Sequence, residues 1–346
     1  MSEEGAKKGS SLLAIFLFGF LSMIFAEVFS GSAPLWFLGI WGWFAVLPLY
    51  WAHALLLLNL AMKYERTSLT QLYLWGVIFG LYEGWITKVI WAGYMGDVPA
   101  LGTFLGFAIG EFFVIALFWH ALFAFIIPIL VFQIIVQATN KGEAESIHTS
   151  HLGVISKGKR NYVLLGIIIV TGSLFMMMGL GADSFSIIVA GITNLAYIVL
   201  LSWFVTSWNS KPMDLESLRL GKTGLSIIII YLFAYYIVSF FTILPERIPS
   251  LGTILLTIAF YGFVIILIFV SPKDNRKTIE LPEGIIDSGH ITWALIIFLM
   301  LAVSWITMGS LSLILGTLFY LAMVFLGPIL FFLAVLNVIR KALANR

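Results

Sequence analysis

The sequence predicts an all-α fold: a polytopic integral membrane helix bundle of about ten transmembrane helices, with both termini cytoplasmic. Three observations lead there. Hydrophobic residues make up 61% of the chain and charged residues 10%, with a mean hydropathy of +1.06, whereas roughly a quarter of a soluble domain is charged. The apolar residues come in runs of the length a membrane requires, about 20 residues at ~1.5 Å rise to cover ~30 Å of hydrocarbon. Lys and Arg fall in alternate connecting segments, as the positive-inside bias of membrane helices demands.

In chain order the expected spans lie near 11–29, 35–62, 72–93, 101–137, 162–180, 184–205, 224–244, 251–270, 290–307 and 309–339. The first follows Lys7 and Lys8 like a signal peptide. It is long, lacks a clear small-residue cleavage site and leads into further spans, so it is expected to stay as a helix. With the N-terminus inside, the inner segments hold Lys63 and Arg66, then Lys141, Lys157, Lys159 and Arg160, then Lys211, Arg219 and Lys222, then Lys273, Arg276 and Lys277, and finally Arg340, Lys341 and Arg346; the outer segments hold only Arg247. Such a distribution places the protein in the cell membrane as a multi-pass chain and leaves no basic patch for nucleic acid.

Three runs, 35–62, 101–137 and 309–339, exceed one crossing, and each contains a proline: Pro48, Pro128 and Pro328. Tilted or protruding helices are the expected result, with broken helices as the functional alternative. The segment 138–161 reads as a solvated cytoplasmic linker with His148 and His151 on its surface. It divides the chain into a four-span bundle, 1–137, and a six-span bundle, 162–346.

The two parts bury different chemistry. No Asp, Glu, Lys or Arg occurs within the six later spans, while the first four contain Glu27, His53, Glu83, Lys88, Glu111 and His120. An ionisable side chain at the bilayer centre costs about 2.5 kcal/mol or more, so it is kept where it lines a cavity, pairs or works. Spans three and four form a hairpin with the tip "GYMGDVPA". Glu83 precedes Asp97 by fourteen residues and Glu111 follows it by fourteen, which puts both carboxyls at one depth if both arms are helical. Gly76, Gly80 and Gly84 on one arm, and Gly102, Gly106 and Gly110 on the other, make small-residue stripes on which helices approach closely.

Lys88 lies five residues after Glu83, on a different face of a helix, so Glu27 or Glu111 is its expected partner. One lysine cannot neutralise three glutamates, and the remainder must hold a proton, a cation or a positive group of a substrate. His53 and His120 are expected deeper in the bundle. His120 is nine residues from Glu111, too far along one helix to share a metal, and no "HExxH" is present, so no metal site is expected. The absence of Cys excludes thiol chemistry. The sequence identifies no cofactor.

Catalytic roles are therefore expected of Glu83, Glu111, Lys88 and Glu27, with His53, His120, Trp85, Trp91, Tyr94 and Asp97 lining the cavity. The leading expectation is a membrane-embedded hydrolase or transferase acting on a lipid or lipid-linked substrate, Glu83 and Glu111 dividing acid and base roles and Lys88 stabilising developing negative charge. A proton- or cation-coupled secondary transporter is the alternative, with the same carboxyls relaying the ion to move a small molecule. A structural subunit of a membrane complex is the third. Membrane lipid is the expected partner.

Overall fold

The computed structural model describes residues 11–94, 98–137, 148–208, 213–274 and 286–344. Asp97 and the basic residues Lys7, Lys8, Lys141, Lys211, Arg276, Lys277 and Arg346 lie outside them. The chain is an α-helical membrane protein. Helix α1 (Ser11–Met23) runs on as a π-helical turn, Ile24–Val28, and is followed by α2 (Gly42–Lys63), α3 (Leu69–Gly80) and two single turns, α4 (Tyr82–Trp85) and α5 (Val89–Ala92). A two-stranded hairpin, β1 (Thr103–Phe104) and β2 (Phe107–Ala108), leads into α6 (Ile109–Val136). Then come α7 (Thr149–Ile155), α8 (Lys159–Gly179), α9 (Ser184–Trp208), α10 (Lys222–Thr242), α11 (Leu251–Val270), α12 (Ser288–Thr307) and α13 (Ser310–Ala344).

Among the described residues eight helices, α2, α6 and α8 to α13, are long and apolar enough to cross a membrane. The other two expected spans differ for local reasons. The first is the shorter apolar helix Leu12–Val28. The third is broken: α3 stops at Gly80, Lys88 takes a left-handed conformation (φ 59°) between α4 and α5, and Gly93 (φ 83°) ends the run. Hydropathy is blind to such breaks because the residues stay apolar through them.

The prolines do not break the long runs. Pro328 sits inside the continuous α13. Pro48 and Pro128 each stand at the second position after a π-helical stretch, Gly42–Val46 and Phe112–Ile126. A widened turn is a recognised way to admit a proline ring, which would clash with a carbonyl of the preceding α-helical turn. The start of 101–137 is corrected outright. Residues 103–108 form the hairpin, turning on Leu105 (φ 53°) and Gly106 (φ 82°), both positive as a tight two-residue β-turn requires. Gly102 and Gly106 thus serve turns rather than a helical stripe.

The chain forms two compact units, each drawn from three stretches. The first comprises 1–51, 127–219 and 276–319. Its core stacks Phe29 on Phe298 at 4.4 Å, and Gly172 leaves room for the Phe29 ring. Asn194 of α9 accepts the Trp36 indole N–H at 2.9 Å and donates to the Pro34 carbonyl at 3.0 Å, while the Trp305 indole donates to Ser173 Oγ at 2.9 Å. Part of the expected linker is built into this unit: α7 is helical, and His151 is fully buried with Nδ1 2.9 Å from Gln133 Oε1. The surface position expected for His151 is therefore wrong. Its imidazole satisfies a buried glutamine eighteen residues earlier, a pairing across a chain reversal that residue spacing does not reveal.

The second unit comprises 52–126, 220–275 and 320–346. Its central contact is α3 against the first part of α6. A Cβ added at Gly76 would stand 2.7 Å from Ala121 Cα, and one at Gly80 2.6 Å from Ala116 Cα, so the helix backbones touch where small residues meet. A capping box, Ser68 with Gln71, starts α3. Gln71 also donates to Ser271 Oγ and the Pro272 carbonyl, and the Arg66 guanidinium caps α11 through the Ile268 carbonyl at 3.1 Å. Large apolar side chains point outward on α10 and α11, including Ile230, Phe233, Phe241 and Ile266. A lipid surrounding solvates them, where water would not.

Candidate functional site

The second unit holds a buried polar cluster built from four helices, α2, α4, α6 and α10. Glu83 lies on the single turn α4 and is 8% exposed. Its carboxylate accepts the Thr87 hydroxyl, one turn on, and stands 3.7 Å from His120 Nε2. His120 comes from the π-helical part of α6, where successive turns are wider than in an α-helix. Its Nδ1 donates to the Ile115 carbonyl, five residues earlier, at 3.2 Å. A carbonyl can only accept, so Nδ1 carries a proton and Nε2 is the nitrogen left for exchange. The Tyr82 hydroxyl meets that same Nε2 at 3.2 Å. Glu83, Tyr82 and His120 thus converge on one ring nitrogen.

A second imidazole lies beside this group. His53 of α2 has Nε2 2.8 Å from the Tyr236 hydroxyl of α10. Its ring stacks on Phe79 at 5.1 Å, and Phe79 is 5.8 Å from the His120 ring. The Tyr82 ring lies 5.1 Å from both imidazoles, so Phe79 and Tyr82 each pack against two buried histidines.

Lys88 is fully buried and does not meet Glu27 or Glu111. Its ammonium donates to the carbonyls of Ile86 (3.1 Å), Ser239 (3.0 Å) and Ile243. The last two end α10, so Lys88 caps that helix and neutralises the negative end of its dipole. The expected partnership failed because Lys88 sits in a left-handed turn. Its direction is then set by that turn and not by helical spacing.

Glu111 is 1% exposed, on the first turn of α6, and its Oε1 accepts the Ala100 N–H at 3.1 Å. No hydrogen bond joins it to Glu83 among the described residues. The glycine contacts pair 80 with 116 and 76 with 121, and beyond the break in α3 each carboxyl has its own partners. Glu27 belongs to the first unit, in the π-helical turn, and accepts the Tyr50 hydroxyl at 2.5 Å. The Trp91 indole donates to Thr257 Oγ1 at 3.0 Å, and Trp85 lies edge-on to Trp91 at 5.3 Å; both belong to packing around α5. The carbonyl of Tyr94, a partly exposed residue, accepts Arg247. Asp97 lies outside the described residues. No group of three His, Asp or Glu able to hold a metal occurs among the described residues.

Three members of the cluster were not legible in the sequence. Thr87 stands four residues after Glu83, a helical spacing that could have revealed it. Tyr82 adjoins Glu83 but gave no signal of direction. Tyr236 comes from a distant helix and had none.

Residues 16–345 match a family described as "Uncharacterized membrane protein family". The chain belongs to that family. It is also similar to an "Uncharacterized protein" of Archaeoglobus fulgidus, 29% identical over 283 residues that cover 76% of this chain and 80% of the relative. No solved structure matches. Membership of the family agrees with the outward-facing apolar helices and establishes the membrane character of the fold.

Proposed function

We propose that the protein is a proton-coupled secondary transporter of the cell membrane, in which Glu83 and His120 pass the coupling proton within the bilayer. The observation that supports this reading most is the convergence of Glu83, Tyr82 and His120 Nε2, all buried, at 3.7 Å or less from that nitrogen. A carboxyl and an imidazole in low dielectric can exchange one proton without creating an isolated charge, and such pairs mark proton pathways in membrane helices. Tyr82 and Thr87 orient the two ends. Lys88 holds α10 in place as a positioning residue, and His53 with Tyr236 extends the polar path.

This order reverses the expectation from sequence for a physical reason. An acid–base pair of Glu83 and Glu111 needs a shared site, and an electrophilic Lys88 needs a free ammonium; neither arrangement fits the partners these groups have. A second reading, an enzyme working on lipid or lipid-linked substrates, draws on another feature. The first unit has an open groove lined by apolar residues such as Leu130, Ile134, Leu165, Ile169 and Leu295, a lining that suits an acyl chain by its chemistry.

The test is difference infrared spectroscopy of the reconstituted protein through a pH step, with proton flux in the same vesicles. A protonated-carboxyl band that disappears in Glu83→Gln and shifts in His120→Gln, with flux lost in both, is expected. A spectrum and flux unchanged by Glu83→Gln would sink the relay. Altered lipid or lipid-linked products in cells carrying that variant, without any flux, would favour the enzyme.

A further inference from the structure

The open groove of the first unit is lined by that unit alone, between three membrane helices that share one end. Asn161, Leu165, Ile168 and Ile169 recur at helical spacing and form one wall along α8, and Ile134 of α6 and Leu295 of α12 belong to the rest of the lining. α8 and α12 begin at this end and α6 stops there. From Asn161 to Ile169 the wall runs ~12 Å at ~1.5 Å per residue, close to the ~15 Å half-thickness of the hydrocarbon layer.

The chemistry changes where α8 begins. Lys157, Lys159 and Arg160 fall within four residues and all are exposed. Arg160 touches the groove itself, since its Nε donates to Oδ1 of the lining residue Asn161 at 3.2 Å. Asp287, 3.8 Å from the Lys157 ammonium, is the one carboxylate these cations meet among the described residues, so Lys159 and Arg160 keep their charge unopposed. The start of α8 has no side-chain cap, and its first N–H groups add the positive end of the helix dipole at the same place.

An apolar trough with cations at its mouth complements an amphiphile with an anionic head. A free anion would use the cations and leave the trough unfilled, and a zwitterionic lipid would do the reverse. We propose that the groove holds one hydrocarbon chain of an anionic membrane phospholipid, whose phosphate sits at Lys159, Arg160 and the start of α8. The site does not rest on the proton relay, which belongs to the second unit.

Delipidated protein in detergent would be titrated with dioleoyl phosphatidylglycerol or dioleoyl phosphatidylcholine. Native mass spectrometry counts the lipids retained, and thermal unfolding reads the stabilisation they give. Wild type is expected to keep one phosphatidylglycerol about tenfold more tightly than phosphatidylcholine, as basic residues at a membrane surface supply. Lys159→Gln combined with Arg160→Gln should remove that preference. Ile168→Trp, which fills the trough and keeps the charges, should weaken both lipids; Leu164→Trp, at a more exposed position of the lining, serves if that variant does not fold. Arg340→Gln combined with Lys341→Gln, at the end of α13, should change nothing, and neither should Glu83→Gln. Equal retention of the two lipids by wild type would overturn the proposal, as would a preference lost equally in the Arg340 and Lys341 variant. So would a dimer that Ile168→Trp dissociates with no lipid bound, which would mean that a second copy covers the groove.

Discussion

Lys88 shows how far a single side chain can depart from what its neighbours in sequence suggest. A lysine in an apolar stretch beside Glu83 reads as chemistry, yet its ammonium is held by three carbonyls, two of them at the end of α10. Replacing it with methionine of similar length should leave those carbonyls without their donor. The variant is expected to lose roughly 2–5 kcal/mol, the range for removing one partner of a buried charged contact. Thermal unfolding in detergent measures this, and a midpoint equal to wild type would show that water replaces the ammonium. Glu83 differs, since its carboxylate meets the side chains of Thr87 and His120 and no backbone carbonyl.

Among the helices, α3 and α6 meet through backbone, and the glycines that permit this are distinguishable by experiment. Gly80→Ala places a methyl against Ala116 Cα and carbonyl, with no flexible side chain to yield. A loss of about 1–3 kcal/mol is expected from such overpacking. Gly102→Ala meets nothing within 4 Å but sits at φ 70°, so its cost is conformational, about 1 kcal/mol. Equal effects in the two variants, compared by denaturation in mixed micelles, would contradict the pairing of α3 with α6 through Gly80 and Ala116. The long π-helical stretch of α6 also has a structural signature: Trp119 and Phe123 lie face to face at 4.1 Å, and the wide turns bring His120 Nδ1 to the carbonyl five residues back.

For the molecule as a whole, charge in the connecting segments fixes an expected orientation that is open to direct measurement. The natural chain has no Cys, so single cysteines introduced at Lys157 or Asp183, which flank α8, report on one crossing. Lys273 and Glu246, flanking α11, report on another. Impermeant thiol reagents applied to intact cells should label the Asp183→Cys and Glu246→Cys variants and reach Lys157→Cys and Lys273→Cys only after lysis. Labelling of both members of a pair from one side would remove that crossing from the bundle. The membrane character itself was legible because it depends on summed apolar length, which composition and run length report without knowledge of contacts.

Sequence alone determined that this is a helical membrane protein and that its buried ionisable groups concentrate in the early helices. Those properties follow from hydropathy, residue counts and helical rise, which are local quantities. Tertiary structure decided which groups meet: His120 rather than Glu111 beside Glu83, and carbonyls rather than carboxylates around Lys88. Each of those pairings depends on a left-handed residue, a π-helical turn or a helix far along the chain. Such features turn a side chain through space without leaving any mark in the hydropathy pattern.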